Sequence, residues 1–536
     1  MPIDVFLSGP QKRAFSSWTP QTHGTPLNEV LLGGVYDWIA SLVPRSVAPN
    51  VLTLSGLLCG AHALYLTHLH LDTAPLLTTA LACALLMAYQ TLDGIDGRHA
   101  RAIRNASPLG ELFDHACANV AGVFVALTLA SLLGVSDTGT LWYATHATLF
   151  AYLLWHLRGL TTGSLTWPLF SLTGPGEALW ALISVVAAKA VLGDHVLAQA
   201  YETVLEKAAF PLLEMATRTL EANRALAALL LPVPVEEAHD VAFKILMDPG
   251  KTAQIAMFGA YLVMAAIVAI TVVFALPREM AATRNGILLC LVFSGVVPTV
   301  HAALNSSLLL DASDIPLRAI ILDGTMFAVL ITDLVVAKMA SRDLHPWVVI
   351  FFMIGSFNHF LAGLVSALYF ALLFWEVSVA TNLPMFTTVI NVFVDGVYDM
   401  FHSGHMKHLR RALALGGGTG PDGPFPGTRL IVGVCSDEDM TTIKRRPILS
   451  MDERVEAIRA SGLAHEVIPA SPAHGLSEEF ILKHNIHVVC HSVEYDHDAD
   501  PYYRVPREMG IARALPRTEG ISTSDLIRRI RARTDL

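Results

Sequence analysis

From about Val51 to Phe374 the chain is a succession of long apolar runs, and from about Val392 onward apolar and charged positions interchange over short distances. The runs include Leu76–Tyr89, Val120–Leu133, Ile255–Leu276, Ala319–Val336 and Val348–Phe374. By the length needed to cross about 30 Å of hydrocarbon, the region predicts roughly eight to ten helical spans. A lone segment in lipid has to be helical, because only then does it satisfy its own backbone N–H and C=O groups. Further on, Val389–Phe393, Leu430–Val434, Val467-Ile468 and Val488-Val489 read as strands, with helices at Met406–Leu415 and Asp452–Arg459. Strands alternating with helices predict a parallel, doubly wound sheet that binds ligands at its strand ends. The expected architecture is a multi-span α-helical membrane domain over 1–386, followed by an α/β domain over 387–536.

Composition sharpens this division. Of 536 residues, 53% are hydrophobic and only 15% charged, where a soluble domain carries about a quarter charged. Met1–Leu27 is polar and lacks a basic-then-apolar leader, so the first span is expected to act as an uncleaved anchor. The six cysteines form no CxxC pair and read as reduced or buried thiols. A net charge of −10 gives no footprint for nucleic acid, and no such partner is expected. His195–Asp248 interrupts the spans with alternating apolar and charged positions. It reads as a packing helix or as an amphipathic helix at the membrane surface.

The most informative apolar-to-polar transition is Gln90–Asn119, QTLDGIDGRHARAIRNASPLGELFDHACAN. Asp93 and Asp96 lie three apart, on one helix face, and Asp114 follows on the next apolar segment. Carboxylates beside membrane spans are costly unless paired or ligating. Three of them suit a hard divalent cation, and Mg²⁺ on a diphosphate is the natural case. Gly97 and Gly110 clear space for a nucleotide, and Arg101 suits a forked phosphate contact.

Asp93, Asp96, Gly97, Ala100, Arg101, Gly110 and Asp114 fit D-x-x-D-G-x-x-A-R-x8-G-x3-D, which resembles the signature of CDP-alcohol phosphotransferases. The wording SPLGELFDH, the APN-x-x-T entry containing Asn50, and the segments Thr162–Leu165 and Gly174–Glu177 resemble the eukaryotic choline/ethanolamine branch. The likeness covers about residues 30–386. It implies transfer of a phospho-head group from a CDP-alcohol to diacylglycerol, with CMP released. It also implies Asp93, Asp96 and Asp114 as ligands of Mg²⁺, with Mn²⁺ as the alternative, and Asn50, Gly97, Arg101 and Gly110 as substrate contacts. One position departs: the signature's last aspartate falls on Ala118. His115 is a reasonable general base in its place, and Glu177 is expected to orient it; the resemblance implies catalytic roles for both.

In the second half, Asp395-Gly396-Val397-Tyr398-Asp399 follows the first strand, and HSGH (His402 to His405) opens a helix. A strand, a turn and a helix N-terminus make an anion site, and histidines there can donate to a polyphosphate. Lys444 sits in the loop IKRRP, Arg454 and Arg459 in R-x-E-x-x-R, and RTEGISTS (Arg517–Ser524) precedes the last helix. The Gly- and Pro-rich insertion Gly416–Thr428 reads as a solvated loop, since no Gly-Lys-Ser ending follows it.

Together these resemble choline-phosphate and ethanolamine-phosphate cytidylyltransferases over about residues 388–536, which implies a Rossmann-like nucleotidyltransferase fold. They imply CTP and Mg²⁺ as partners. His402, His405 and Lys444 would be catalytic, and Asp395, Gly396, Asp399, Arg454, Arg459, Arg517, Thr518, Gly520, Ile521, Ser522 and Thr523 would surround the nucleotide. Tyr503 matches a tyrosine of the aromatic cage for choline, whereas the cage tryptophan falls at about His474, so the head group leans only slightly to choline over ethanolamine.

Two readings stand. In one, both halves act in sequence: CTP and phosphocholine or phosphoethanolamine give CDP-alcohol and pyrophosphate, and the CDP-alcohol then meets diacylglycerol. In the other, a working cytidylyltransferase is tethered to an impaired membrane scaffold. Both families imply a homodimer in endoplasmic reticulum or Golgi membrane, with sites facing the cytosol.

Overall fold

The computed structural model describes residues 4–19, 26–162, 174–223, 233–304, 315–415, 427–443, 445–497, 500–518 and 520–533. They form two compact units. The first gathers Met1–Trp38, Leu52–Ile95 and Pro108–Ala380; the second gathers Ile39–Val51, Asp96–Ser107 and Thr381–Leu536.

The first unit is helical. Its principal helices are α1 (Pro49–His70), α2 (Pro75–Ala102), α3 (Pro108–Leu132), α4 (Thr138–Thr162), α5 (Pro249–Ala275), α6 (Leu317–Met339) and α7 (His359–Thr381). Among the described residues, six helices (all of these except α4) are long and apolar enough to cross a membrane, fewer than the apolar runs predict. The run Val348–Phe374 is not one helix: Asn358 cuts it, with an extended backbone (φ −154°, ψ 112°). Its Oδ1 accepts the amides of Phe360 and Leu361, so a new helix starts there. Proline opens α1, α2, α3 and α5, where its missing N–H has no helical partner to lose.

Helix α6 is the core of this unit and packs on α3 and α4. At Gly324 a Cβ would stand 2.8 Å from Val123, so glycine permits the close approach of α6 to α3. Two buried carboxylates here are heavily partnered. Asp333 takes both guanidinium nitrogens of Arg342 (2.6 and 3.0 Å), the His345 amide (2.8 Å) and the Tyr369 hydroxyl (2.9 Å). Glu376 on α7 accepts the amides of Val5, Phe6 and Leu7 and pairs with Lys12 at 3.0 Å. In the interruption between spans, the Phe210 and Phe243 rings stack at 5.2 Å.

The second unit holds a five-stranded parallel sheet in the order β3-β2-β1-β4-β5. The strands are β1 (Val389–Gly396), β2 (Gly427–Cys435), β3 (Glu466–Ser471), β4 (Val488–Ser492) and β5 (Ala512–Leu515). The helices that matter below are α8 (Ser403–Leu415), α9 (Asp437–Ile443), α10 (Met451–Ala460) and α11 (Thr523–Arg531). Successive β1 residues serve opposite faces. Val392 and Val394 join a core with Leu409, Val432 and Ile458, while Phe393 joins another with Ile431, Ile481 and Val489. Both faces being covered, β1 reads as a continuous apolar run. The strand order reverses between β1 and β4, which puts a crevice at their carboxyl ends.

At the opposite end of the sheet, the Asn105 amide exchanges hydrogen bonds with the Val389 backbone (2.9 and 3.0 Å). His487 accepts the Asn391 amide at Nδ1 (3.0 Å) and bonds the Ile103 carbonyl through Nε2 (2.8 Å).

Candidate active sites

In the second unit the chain leaves β1 through a loop with left-handed residues at Tyr398 (φ +54°) and Met400 (φ +49°). Such residues persist only where neighbours over-determine them. Here Asp399 does so: its carboxylate accepts the amides of Ile448 and Leu449, and its carbonyl accepts the Thr523 hydroxyl at 3.1 Å. Arg454 does the rest from a fully buried position. It donates to the carbonyls of Val397, Cys435 and Leu449 and pairs with Asp437. The side chains of Asp399 and Arg454 are therefore occupied in holding the loop.

The loop delivers two histidines to the N-terminus of α8. Their rings stack at 3.9 Å, with Phe401 beside His405 at 5.8 Å and Tyr398 edge-on to it at 5.4 Å. The Gly404 amide donates to His402 Nδ1 at 3.1 Å, so a neutral His402 carries its proton on Nε2. That Nε2 and His405 Nδ1 are buried without a protein partner. Burial, reinforced by His402 and His408, pushes His405 down to about 4, and burial also lowers His402. Both are uncharged at neutral pH. They present N–H groups beside the free amides of a helix start, an arrangement that binds anionic oxygen.

The segment before α11 closes the other side. A Cβ on Gly404 would stand 2.8 Å from His402 Cε1 and 3.1 Å from Ile521 Cγ2, so glycine is required there. Thr518 donates to the Gly404 carbonyl at 3.4 Å, Gly520 turns at φ +87°, and Ser522 caps α11. Arg517 pairs with Glu494 at 2.6 Å in an exposed position. Across the crevice, buried Tyr503 donates to Asp395 at 2.8 Å, and burial raises the Asp395 carboxyl. The rings of His491 and Tyr502 lie 4.7 and 4.6 Å from Tyr503. Gly396 lies against the Tyr398 ring. His474 is exposed, 3.8 Å from Asp439. Arg459 is exposed on α10.

The signature residues occupy α2 and α3. Asp93 and Asp96 sit one turn apart on α2, with Gly97 donating to Asp96 at 2.5 Å, and exposed Arg101 follows. Gly110, Asp114, His115 and Ala118 are on α3. Among the described residues no three His, Cys, Asp or Glu side chains are gathered closely enough to hold a metal. Glu177 caps its own helix through the Gly174 amide (2.8 Å), and Asn50 donates to the Met385 carbonyl (2.8 Å). His115 lines a small cavity with Trp18, Glu111, His156 and Lys338.

Residues 46–277 match the model of the CDP-alcohol phosphatidyltransferase family, and residues 393–529 match that of the cytidylyltransferase-like family. The chain joins a domain of each kind. In the second domain it is 38% identical over 143 residues to rat choline-phosphate cytidylyltransferase A, covering 26% of this chain and 36% of that one. It is 36% identical over 151 residues to the choline-phosphate cytidylyltransferase of Saccharomyces cerevisiae, covering 28% and 33%. Mouse ethanolamine-phosphate cytidylyltransferase is 33% identical over 144 residues, covering 26% and 33%. The chain thus spans about a third of the length of these relatives.

Within the cytidylyltransferase-like domain, sequence reasoning missed Tyr398 as a wall of the histidine pair and Asp437 as the partner of Arg454. In the helical unit it missed Trp18, Glu111, His156 and Lys338. Tyr398 and Glu111 stood inside motifs already singled out, but a tertiary contact gives each of these residues its place at a site. Lys444, Gly163–Leu165, Glu519 and most of the Gly416–Thr428 insertion lie outside the described residues.

Proposed function

We propose that the chain makes a CDP-alcohol in its second half, residues 387–536, and consumes it in its membrane-embedded first half, residues 1–386. The observation that carries the proposal is the stacked, neutral pair His402 and His405, with orphaned nitrogens at the start of α8. A phosphate oxygen of phosphocholine attacks the α-phosphorus of CTP, the bond to the diphosphate breaks, and pyrophosphate leaves. The two imidazole N–H groups and the α8 amides stabilise the charge on the transferring and leaving phosphates. Arg517, Thr518, Gly520, Ile521, Ser522 and Thr523 cover the nucleotide; Asp395, Gly396 and Tyr503 face the head group; Lys444 assists at the α-phosphate. Asp399, Arg454 and Arg459 belong to the surround of the site, the first two by fixing its loop.

In the first half a diacylglycerol hydroxyl attacks the β-phosphorus of the CDP-alcohol and CMP leaves, with Asn50, Gly97, Arg101 and Gly110 contacting the nucleotide. The oxygen donors Asp93, Asp96 and Asp114 suit Mg²⁺, or Mn²⁺ in its place, though Ala118 supplies no fourth carboxylate. The bound ion supplies neutralisation of the diphosphate charge. His115 takes the hydroxyl proton and Glu177 fixes its surroundings. Choline is the proposed head group over ethanolamine. The proposed setting is a homodimer in endoplasmic reticulum or Golgi membrane, with sites on the cytosolic side where CTP is.

Ala118 favours a second reading, in which the first half is only an anchor for the cytidylyltransferase. Purified protein in detergent, given Mg²⁺, CDP-choline or CDP-ethanolamine and diacylglycerol, separates the two. Phospholipid that disappears in Asp96→Ala supports two active sites. CTP-dependent CDP-alcohol synthesis without any phospholipid supports the anchor.

A further inference from the structure

We propose that Asn105 is a positioning residue of the phosphotransfer site: it fastens the end of α2, and with it Arg101, to the first residue of β1, so that the sheet is a working part of that site. This rests on the phosphotransferase reading of the first half. The second compact unit takes in Asp96–Ser107 along with Thr381–Leu536. Three signature residues, Asp96, Gly97 and Arg101, therefore belong to the same unit as the sheet.

Helix α2 ends in a turn that its own sequence does not favour. The Arg104 amide donates to the Arg101 carbonyl (3.1 Å) and the Asn105 amide to that of Ala100 (2.7 Å), with Arg104 left-handed at φ +55°. Glycine is the usual residue at that point of such a helix end. A side chain makes the conformation costly, so neighbours must hold it. They hold it at four consecutive residues. His487 accepts the Asn391 amide at Nδ1 (3.0 Å), so its Nε2 carries the proton and donates to the Ile103 carbonyl (2.8 Å). Arg104 donates to the Ile486 carbonyl (2.8 Å). The Asn105 side chain accepts the Val389 N–H (2.9 Å) and donates to the Val389 carbonyl (3.0 Å), as a neighbouring strand would. The Ala106 carbonyl accepts the Asn485 side chain (3.2 Å). Of the four, Asn105 alone both gives and takes through its side chain.

The turn bears on the site through Arg101. A Cβ on Gly97 would stand 3.3 Å from Arg101 Nη1, so the guanidinium runs back one turn to Gly97. Ala100 and Arg101 supply the carbonyls on which the turn closes, so releasing the turn frays the stretch that carries this guanidinium. The fastening sits at the amino end of β1, and the histidine pair follows its carboxyl end. Breaking the fastening should reach phosphotransfer and spare cytidylyl transfer.

The test uses the full-length protein in detergent with Mg²⁺, CDP-choline and diacylglycerol, and assays cytidylyl transfer on the same preparation. Asn105→Ala removes both bonds to Val389. It should lower kcat/KM for CDP-choline by about 10- to 100-fold, with a raised KM, and leave KM for CTP within about twofold of wild type. KM does not depend on how much of the preparation is folded, so a merely structural role leaves it unmoved. Asn105→Asp keeps the acceptor for the Val389 amide; its effect should fall between, and it is read in the same way. In an Arg101→Ala background, Asn105→Ala should cost about twofold or less, because the two act through one group. A wild-type kcat/KM in Asn105→Ala would overturn the inference. So would a loss of both activities in step at unchanged KM, which would make Asn105 structural only, and so would losses that multiply in the double variant. An inactive wild type would instead overturn the phosphotransferase reading and this inference with it.

Discussion

The helical unit and the α/β unit both bury ionic groups, and they complete them in different ways. In the helical unit, Asp333 and Glu376 each receive several N–H or O–H donors as well as a cation. In the α/β unit the single guanidinium of Arg454 ties three backbone carbonyls and Asp437 together. These saturated groups are fasteners, since nothing is left on them for a ligand to satisfy. The stacked histidines are the contrast: His402 Nε2 and His405 Nδ1 are buried and unmet by protein. Saturation marks architecture, and the unmet buried nitrogens of this cleft mark chemistry.

The largest effect that probes this contrast is on stability. Arg454→Ala removes the donor for three buried carbonyls and the partner of Asp437. It should destabilise the α/β unit by about 3–5 kcal/mol, measured by urea unfolding, and lower activity only through loss of folded protein. A folded, inactive Arg454→Ala would put this arginine in the chemistry and break the contrast. His405→Ala should do the reverse. It should cost about 10²–10³-fold in cytidylyl transfer while the unfolding midpoint stays near wild type, checked by the same denaturation curve beside a CTP assay.

The smallest effect is on pH dependence. Burial pushes His405 and His487 to about 4 from the ordinary 6.5. The unfolded chain takes up these protons near 6.5 and the folded chain resists until about 4. The stability they contribute is full above pH 6.5 and is lost as pH falls toward 4. For His487 the geometry gives a second reason, because its Nδ1 accepts the Asn391 amide and protonation would set donor against donor. Thermal unfolding of the α/β unit should therefore shift downward across that window, and less so in His487→Gln.

Much of the α/β fold was legible in advance because strands buried on both faces are continuous apolar runs. Strand β5 escaped, being four residues long with an arginine inside it. The helical unit was legible as to class but not in its helix boundaries, since one asparagine, Asn358, divides an apolar run that hydropathy reads as continuous. The sites were half legible. The histidine pair stood out, because a helix N-terminus next to a strand is a local arrangement. The R-x-E-x-x-R pattern suggested that Arg454 meets a nucleotide, and no local pattern could reveal that it is fully buried with its donors turned to backbone.

The sequence by itself determined the periodicities, the helix starts at proline, the order of strands and helices and the spacing of the aspartates, because each depends on neighbours within a turn or two. Tertiary structure alone decided which polar atoms found partners. Arg454 reaches Val397 across 57 positions, and Glu376 reaches Phe6 across 370. Whether a buried polar atom is a fastener or a reactive group depends on desolvation and on what long-range packing places beside it.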